Sequence, residues 1–255
     1  MTDHVVAAVA DGILAIRLNR PKRKNALTVA MYTALADALE RGDAEKSVRV
    51  ITLTGTDNSF SSGNDIADFM QQKPTPGETP VLRFLRVIST TSKPLIAAVN
   101  GLAVGVGVTM LLHCDLVYAA ETATFELPFV NLGLVPEAAS TLLLPRMIGH
   151  QRASELMLLG EKFDAGTARS IGLVNAVLPT PELDAAVRER ATMLASKPPA
   201  ALRLTKALLK SETTTVTARM AEEVAQFSKQ LQSPEVQEAF AAFMQRRKPD
   251  FSPFA

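Results

Sequence analysis

A chain of 255 residues with 47% hydrophobic composition can bury a sizeable core, which excludes a disordered polymer or a minimal disulfide-built domain. Its formal net charge of +1 gives no global field for nucleic acid or an anionic membrane surface, so an anionic partner has to be met by a local basic cluster. The single cysteine, Cys114, excludes an internal disulfide framework, and its apolar setting makes a buried inert thiol the expectation.

Met1 to Asp11 lack a charged leader followed by an apolar run, and Ser252-Pro253-Phe254-Ala255 is not a peroxisomal address, so a reducing cytoplasm is expected. Val5 to Val9 and Ile13 to Leu18 read as strands joined at Asp11-Gly12, a two-residue hairpin signal. The basic loop Asn19 to Thr28 reads on charge alone as a solvated turn. It ends at Thr28, an N-cap for a helix over Val29 to Arg41. Val48 to Thr54 is a strand that runs into Gly55 and then Phe60 to Ile66. There Ser61, Ser62, Gly63, Asn64 and Asp65 form a turn whose main-chain N–H groups are free to face a ligand. Gln71 to Pro80, rich in proline, is a flexible connection that can line an acyl pocket, and it leads to a helix over Val81 to Thr91.

Leu95 to Leu112 is eighteen residues without a charge, the length at which a membrane span has to be considered. Asn100 and three glycines interrupt the run and His113-Cys114-Asp115 closes it, so buried core is expected instead. Gly105 and Gly107, around Val106, allow a ligand close to the main chain. Asp115 to Ala119 reads as a strand and Phe125 to Pro136 as irregular. Pro136 stands where a helix can begin, with Glu137 in its first turn. Helices follow at Gln151 to Leu159 and, behind Asp164, at Ala165 to Ile171, with a short strand at Val174 to Val177. Strands alternating with helices make this part α/β. After Lys197-Pro198-Pro199 come three helices, over Ala200 to Lys210, Thr215 to Leu231 and Pro234 to Arg246, with no strand among them. Val224, Phe227 and Leu231 form an apolar stripe there, for which a neighbouring subunit is the expected cover.

Several chemistries have no motif to carry them. Gly105-Val106-Gly107 lacks the third glycine of a dinucleotide fingerprint, and neither a GxSxG elbow nor HExxH or CxxC metal spacing occurs. The three histidines are expected to be structural or at the surface. Two glycine-rich turns able to present N–H groups remain, with the carboxylate of Glu137. An acidic residue in a helix's first turn is also favoured by the macrodipole, whatever its chemistry.

Asn25-Ala26-Leu27, Ser62-Gly63-Asn64-Asp65-Ile66, Lys93-Pro94 through Asn100-Gly101-Leu102-Ala103 into Gly105-Val106-Gly107, Cys114-Asp115-Leu116, Asn131-Leu132-Gly133 and Gly172-Leu173-Val174 occur in one order along nearly the whole chain. This set resembles the enoyl-CoA hydratase/isomerase, or crotonase, superfamily. The resemblance implies an α/β spiral of ββα units over residues 1–195, holding an acyl-CoA site, and a helical oligomerisation region over 196–255 that forms a homotrimer or a hexamer. It implies an acyl-CoA thioester as substrate, with CoA part of the substrate, and no metal or redox cofactor, nucleic acid or membrane. The thioester oxygen would lie between the backbone N–H groups of Asn64 and Val106. The resemblance puts Ala26, Ser62, Asp65 and Ile66 near CoA, Lys22, Arg23 and Lys24 near its phosphates, and Phe243 and Arg246 over it.

Hydratases of the family carry two glutamates, at positions that here hold Thr109 and Phe129, which are expected to line the acyl pocket. Glu137 after Pro136 resembles instead the single glutamate of the Δ3,Δ2-enoyl-CoA isomerases. A proton shuttle between C2 and C4 is therefore the expected reaction, in fatty-acid β-oxidation. The alternatives are an enoyl-CoA hydratase or other acyl-CoA enzyme of the family, and a non-catalytic acyl-CoA-binding protein.

Overall fold

Asp11 and Gly12 both take positive φ, 52° and 76°, the backbone of a tight hairpin turn whose twist suits the flanking strands. They join β1 (Val5–Ala10) to β2 (Ile13–Leu18) in antiparallel register, Val5 opposite Leu18 and Ala10 opposite Ile13. The structure is a computed structural model and describes residues 3–70, 77–245 and 247–254, excluding the side chains at 69 and 70. Of the proline-rich connection, residues 71–76 lie outside the described residues, and so does Arg246.

Helix α1 (Val29–Ala44) starts as expected, with the Thr28 hydroxyl accepting from the Met31 N–H at 3.3 Å. Then come β3 (Val50–Thr54), β4 (Ser59–Ser61), the short α2 (Ile66–Met70) and α3 (Pro80–Thr90), the last capped by Thr79. The long uncharged run folds as β5 (Leu95–Val99), β6 (Leu102–Val104), α4 (Val106–Thr109) and a 3₁₀ turn over Met110–His113, buried almost throughout. It is core, and among the described residues no helix is long and apolar enough to cross a membrane. Next are β7 (Leu116–Ala120), β8 (Thr124–Glu126), α5 (Ser140–Ile148), α6 (His150–Leu159), β9 (Phe163–Asp164), α7 (Ala165–Ser170) and β10 (Ala176–Leu178). Four helices end the chain: α8 (Leu183–Ala195), α9 (Pro199–Leu209), α10 (Thr213–Gln230) and α11 (Pro234–Met244).

The strands form two sheets, ordered β1-β2-β3-β5-β7-β10 and β4-β6-β8-β9. Successive turns of chain give one strand to each sheet, β3 then β4, β5 then β6, β7 then β8, with helices between turns; this is a spiral of ββα units. The interior strands are parallel, and β5 is buried at all five positions, as expected of a sheet covered on both faces. Alternation divides it: Leu95, Ala97 and Val99 join the main core with residues of α1 and α3, while Ile96 and Ala98 face Leu183, Val187 and Ala191 of α8.

Three expectations change. Val174, expected to open a strand, does not: its N–H and that of Leu173 both bond the Ala168 carbonyl behind Gly172 (φ 82°), closing α7, and pairing with β7 starts only at Ala176. Helix α8 was not anticipated; its buried stripe is only three residues wide, one of them alanine. The stripe on α10 is covered from within the chain, because Phe227 and Leu231 pack against the main core. Ahead of Leu158 and Leu159 of α6, the most exposed leucines of the described residues are on α9, where Leu204, Leu208 and Leu209 are 65%, 77% and 82% exposed. That helix is tied down by Lys206, whose ammonium donates to the Lys93 carbonyl at 2.6 Å and pairs with Asp115 at 2.7 Å.

Candidate active site

Strands β4, β6 and β8 run parallel, so the loops leaving their carboxyl ends emerge side by side. The first carries Asn64, the second Val106, and the third continues through Phe129 to Glu137. The first two loops pack without space to spare. A Cβ on Gly107 would stand 2.7 Å from the Ser61 carbonyl oxygen, and one on Gly63 would stand 3.0 Å from that of Val104. At Asn64 the ladder to Leu27 takes the groups on either side, Leu27 N–H to Gly63 O and Asp65 N–H to Leu27 O. Val106 opens α4, where an N–H has no carbonyl in its own helix. Neither N–H donates to a protein acceptor among the described residues. These two turns can therefore offer a ligand a pair of main-chain donors.

Glu137 is not in a helix. The chain passes from Pro136 through Glu137 into Ala138 and Ala139, both left-handed at φ 63° and 55°, and α5 begins only at Ser140. Two consecutive left-handed alanines cannot continue a helical turn, so the expected start at Pro136 is displaced by four residues. Glu137 is 7% exposed. One carboxylate oxygen accepts from the Thr109 hydroxyl, and the other is buried with no partner among the described residues. Burial raises its pKa to about 7, with the Thr109 bond lowering it and the nearby Glu223 carboxylate raising it further. Such a group is a proton acceptor and donor poised at neutral pH.

Tyr32, His113 and Glu223, which the sequence did not single out for this site, complete it together with Thr141. Tyr32, buried on α1, donates its hydroxyl to the Asn64 side chain, and burial followed by the charge of Glu137 raises its own pKa. His113 bonds the Ala138 carbonyl through Nε2 at 2.8 Å; a carbonyl only accepts, so Nε2 carries the proton, and burial holds the ring neutral with a pKa of about 4. From α10, Glu223 accepts from the Ala139 N–H at 2.6 Å and the Thr141 N–H at 3.0 Å. Thr141 donates its hydroxyl to the same carboxylate at 2.5 Å. These contacts span 82 and 84 residues of chain and leave no local spacing to read. Thr109 and Phe129, both buried, line the same place; Thr109 holds Glu137, and the Phe129 ring lies 3.9 Å from where a Cβ on Gly105 would be.

The basic loop is more ordered than a solvated turn. Asn25 is fully buried at φ 55°, accepting from the Arg20 N–H and donating to the Ser59 carbonyl, each at 2.7 Å. Ser62 adds an N–H to Lys24 O and a hydroxyl to Arg23 O. Lys24 and Ser62 are thereby brought together two residues before Asn64, the Ala26 N–H bonds the Arg23 carbonyl in the same loop, and Lys22 and Lys24 are exposed. The Asp65 carboxylate is engaged by Arg20 at 2.7 Å and by the Asp68 N–H, just before Ile66 opens α2. Phe243 stands 59% exposed near the end of α11, a helix that packs beside the Val130–Leu132 turn.

Residues 8–253 match the family described as Enoyl-CoA hydratase/isomerase. The chain is similar to Enoyl-CoA delta isomerase 2 of Rattus norvegicus, 38% identical over 205 residues that cover 78% of this chain and 52% of the relative. It thus spans about half the length of that relative. It is also similar to 2,3-dehydroadipyl-CoA hydratase of Escherichia coli (strain K12), 35% identical with 94% of each chain covered. A crystal structure of an enoyl-CoA hydratase/isomerase from Pseudoalteromonas atlantica T6c superposes with a TM-score of 0.95 at 42% identity, covering 98% of this chain and 100% of that one.

Proposed function

This chain belongs to the enoyl-CoA hydratase/isomerase family of acyl-CoA enzymes, and we propose that within it the protein is a Δ3,Δ2-enoyl-CoA isomerase acting in fatty-acid β-oxidation. The observation that carries this reading is the single available carboxylate. Glu137 is buried, near neutrality, and has one oxygen unpaired. The two positions used for water activation in hydratases hold Thr109 and Phe129. The other buried acid, Glu223, has both oxygens engaged by the start of α5. Hydration needs a water held and deprotonated, for which two carboxylates are the family's arrangement. Isomerisation needs one base on one face.

In the proposed reaction the thioester carbonyl of a 3-enoyl-CoA accepts from the Asn64 and Val106 N–H groups. The Glu137 carboxylate takes a proton from C2, and the electron pair delocalises into a dienolate whose negative charge rests on the thioester oxygen. Each such donor typically lowers the barrier by roughly 3 to 4 kcal/mol. Glu137, now protonated, returns the same proton to C4, leaving a double bond between C2 and C3. Nothing is consumed and the carboxylate is regenerated. Thr109 fixes the orientation of the shuttling group, and Phe129 keeps water from the dienolate. Lys22 and Lys24 meet the CoA phosphates, Ala26, Asp65 and Ile66 border the adenine, Ser62 stands beside CoA, and Phe243 closes over the CoA portion of the substrate.

Glu137→Gln keeps the shape of the side chain but cannot accept a proton. Turnover of 3-hexenoyl-CoA, followed as the conjugated product in the ultraviolet, should fall at least about 10²-fold while CoA-ester binding survives. Wild type hydrating a 2-enoyl-CoA far faster than it isomerises would make the protein a hydratase, and tight binding without either turnover would make it an acyl-CoA-binding protein.

A further inference from the structure

The Ala138–Ala139 peptide is gripped at both ends by side chains that lie far from it in sequence. Its carbonyl accepts from His113 at 2.8 Å and its N–H donates to Glu223 at 2.6 Å. Both alanines are left-handed, a conformation that costs an L-residue free energy and persists only where the surroundings fix it. Glu137 is the residue immediately before this pair. The grip of Glu223 extends to the Thr141 N–H and hydroxyl, so one carboxylate from α10 holds the start of α5 and the strained turn together. A helix start left uncapped would have free N–H groups seeking acceptors, and Glu137, two residues before Ala139, has a buried oxygen without a partner.

We propose that Glu223 is a positioning residue: by capping α5 and clamping the Ala138–Ala139 turn, it keeps the Glu137 carboxylate facing the substrate instead of the helix start. The inference rests on the reading of Glu137 as the base. It gives the C-terminal helices a part in the chemistry, since the residue that holds the base in place comes from α10. Burial is the main cause of the raised Glu137 pKa, and the Glu223 charge adds to it in the same direction. The pKa of Glu223 is itself raised by burial, while its bonds from Thr141 and Ala139 and the nearby Arg219 charge lower it; charged groups on the surrounding helices have ion-pair partners of their own. Arg219 on α10 pairs with Glu222, Arg146 of α5 with Glu212, and Arg83 and Arg86 of α3 with Asp37, Glu40 and Glu78. The His113 ring is neutral at physiological pH, and Lys210 donates to the His113 carbonyl.

The test is Glu223→Gln, which keeps the volume but turns a donor toward one of the N–H groups now accepted. The expected result is a fall in kcat of about 10²-fold with KM little changed, the cost of a misplaced reacting group and not of lost binding. In [13C]glutamate-labelled protein the Glu137 carboxyl, assigned by its absence in Glu137→Gln, should titrate at lower pH in Glu223→Gln than in wild type. The acid limb of the kcat/KM profile should move with it. Thr141→Ser should behave as wild type and Thr141→Val should follow Glu223→Gln in direction, which keeps the inference testable if Glu223→Gln does not fold. A folded Glu223→Gln with wild-type kcat and an unmoved Glu137 titration overturns it. If wild type isomerises no 3-enoyl-CoA but the titration moves, the assignment of the reaction fails and the clamp stands.

Discussion

Glu137 has a pH dependence of opposite sign in activity and in stability. A base must be ionised to accept a proton, so kcat/KM for a 3-enoyl-CoA should rise with pH and level off above about 7. A pH–rate profile flat across neutrality would remove Glu137 as the base. For folding, the carboxyl lies above its ordinary value of 4.5, so its protonated form favours the native state. That stability is full below about 4.5 and is lost as pH rises through about 7. Glu137→Gln cannot ionise and should match wild type in acid, then exceed it by about 3 kcal/mol above neutrality in urea unfolding. His113 runs the other way. Its depressed pKa gives stability that is present above 6.5 and lost as pH falls through about 4. Glu137 was legible from its place after Pro136 and the family's pattern. Thr109 was also marked by that pattern, but its bond to Glu137 was not, and Glu223 was not marked at all, because it meets Ala139 next to Glu137 through the fold and not through spacing along the chain.

Among the elements, those with a local signal were readable. Thr28 and Asp164 cap α1 and α7 by side-chain bonds, and Asp11-Gly12 turns the first hairpin. The pairing of β4 with β6 and β8 in a second sheet was not readable, since three-residue strands carry no periodicity. Nor was the late start of α5, which depends on a carboxylate from α10. The packing of the two donor turns gives a direct check. Gly107→Ala would bring a methyl within 2.7 Å of the Ser61 carbonyl and force α4 away from β4. Removing a single main-chain donor from alignment should lower kcat by about 10²-fold. Steady-state kinetics would read it, with circular dichroism to establish that the fold is retained. Unchanged kinetics in the folded variant would show that the two turns do not act together.

Over the whole molecule, Leu204, Leu208 and Leu209 of α9 are among the most exposed large apolar side chains of the described residues, with Leu158 and Leu159 of α6 and Met244 of α11, and the α9 leucines lie in the stretch assigned by resemblance to oligomerisation. We expect a homotrimer or a pair of trimers with Leu204, Leu208 and Leu209 at or near the contact. Leu204→Glu with Leu208→Glu should shift sedimentation toward monomer and leave secondary structure intact, because both side chains are exposed in the single chain. A wild type that sediments as a stable monomer would overturn this. Alternating strands and helices made the α/β class legible, and the spiral came from the family resemblance; the identity of the uncovered face was not legible, because periodicity marks an apolar stripe on α10 as readily as one on α9 and does not say which the core will take.

The three parallel strand ends beneath the site also bear on how such a chain can change. The groups proposed as thioester donors belong to the main chain, in turns that follow the paired strands β4 and β6, whereas Thr109, Phe129 and Glu137 contribute side chains. Substitution at those three positions alters where protons go without moving the groups that would hold the thioester. A descendant of this sequence can therefore exchange one reaction for another in single steps, each intermediate still gripping its substrate, and natural selection has a continuous path to follow.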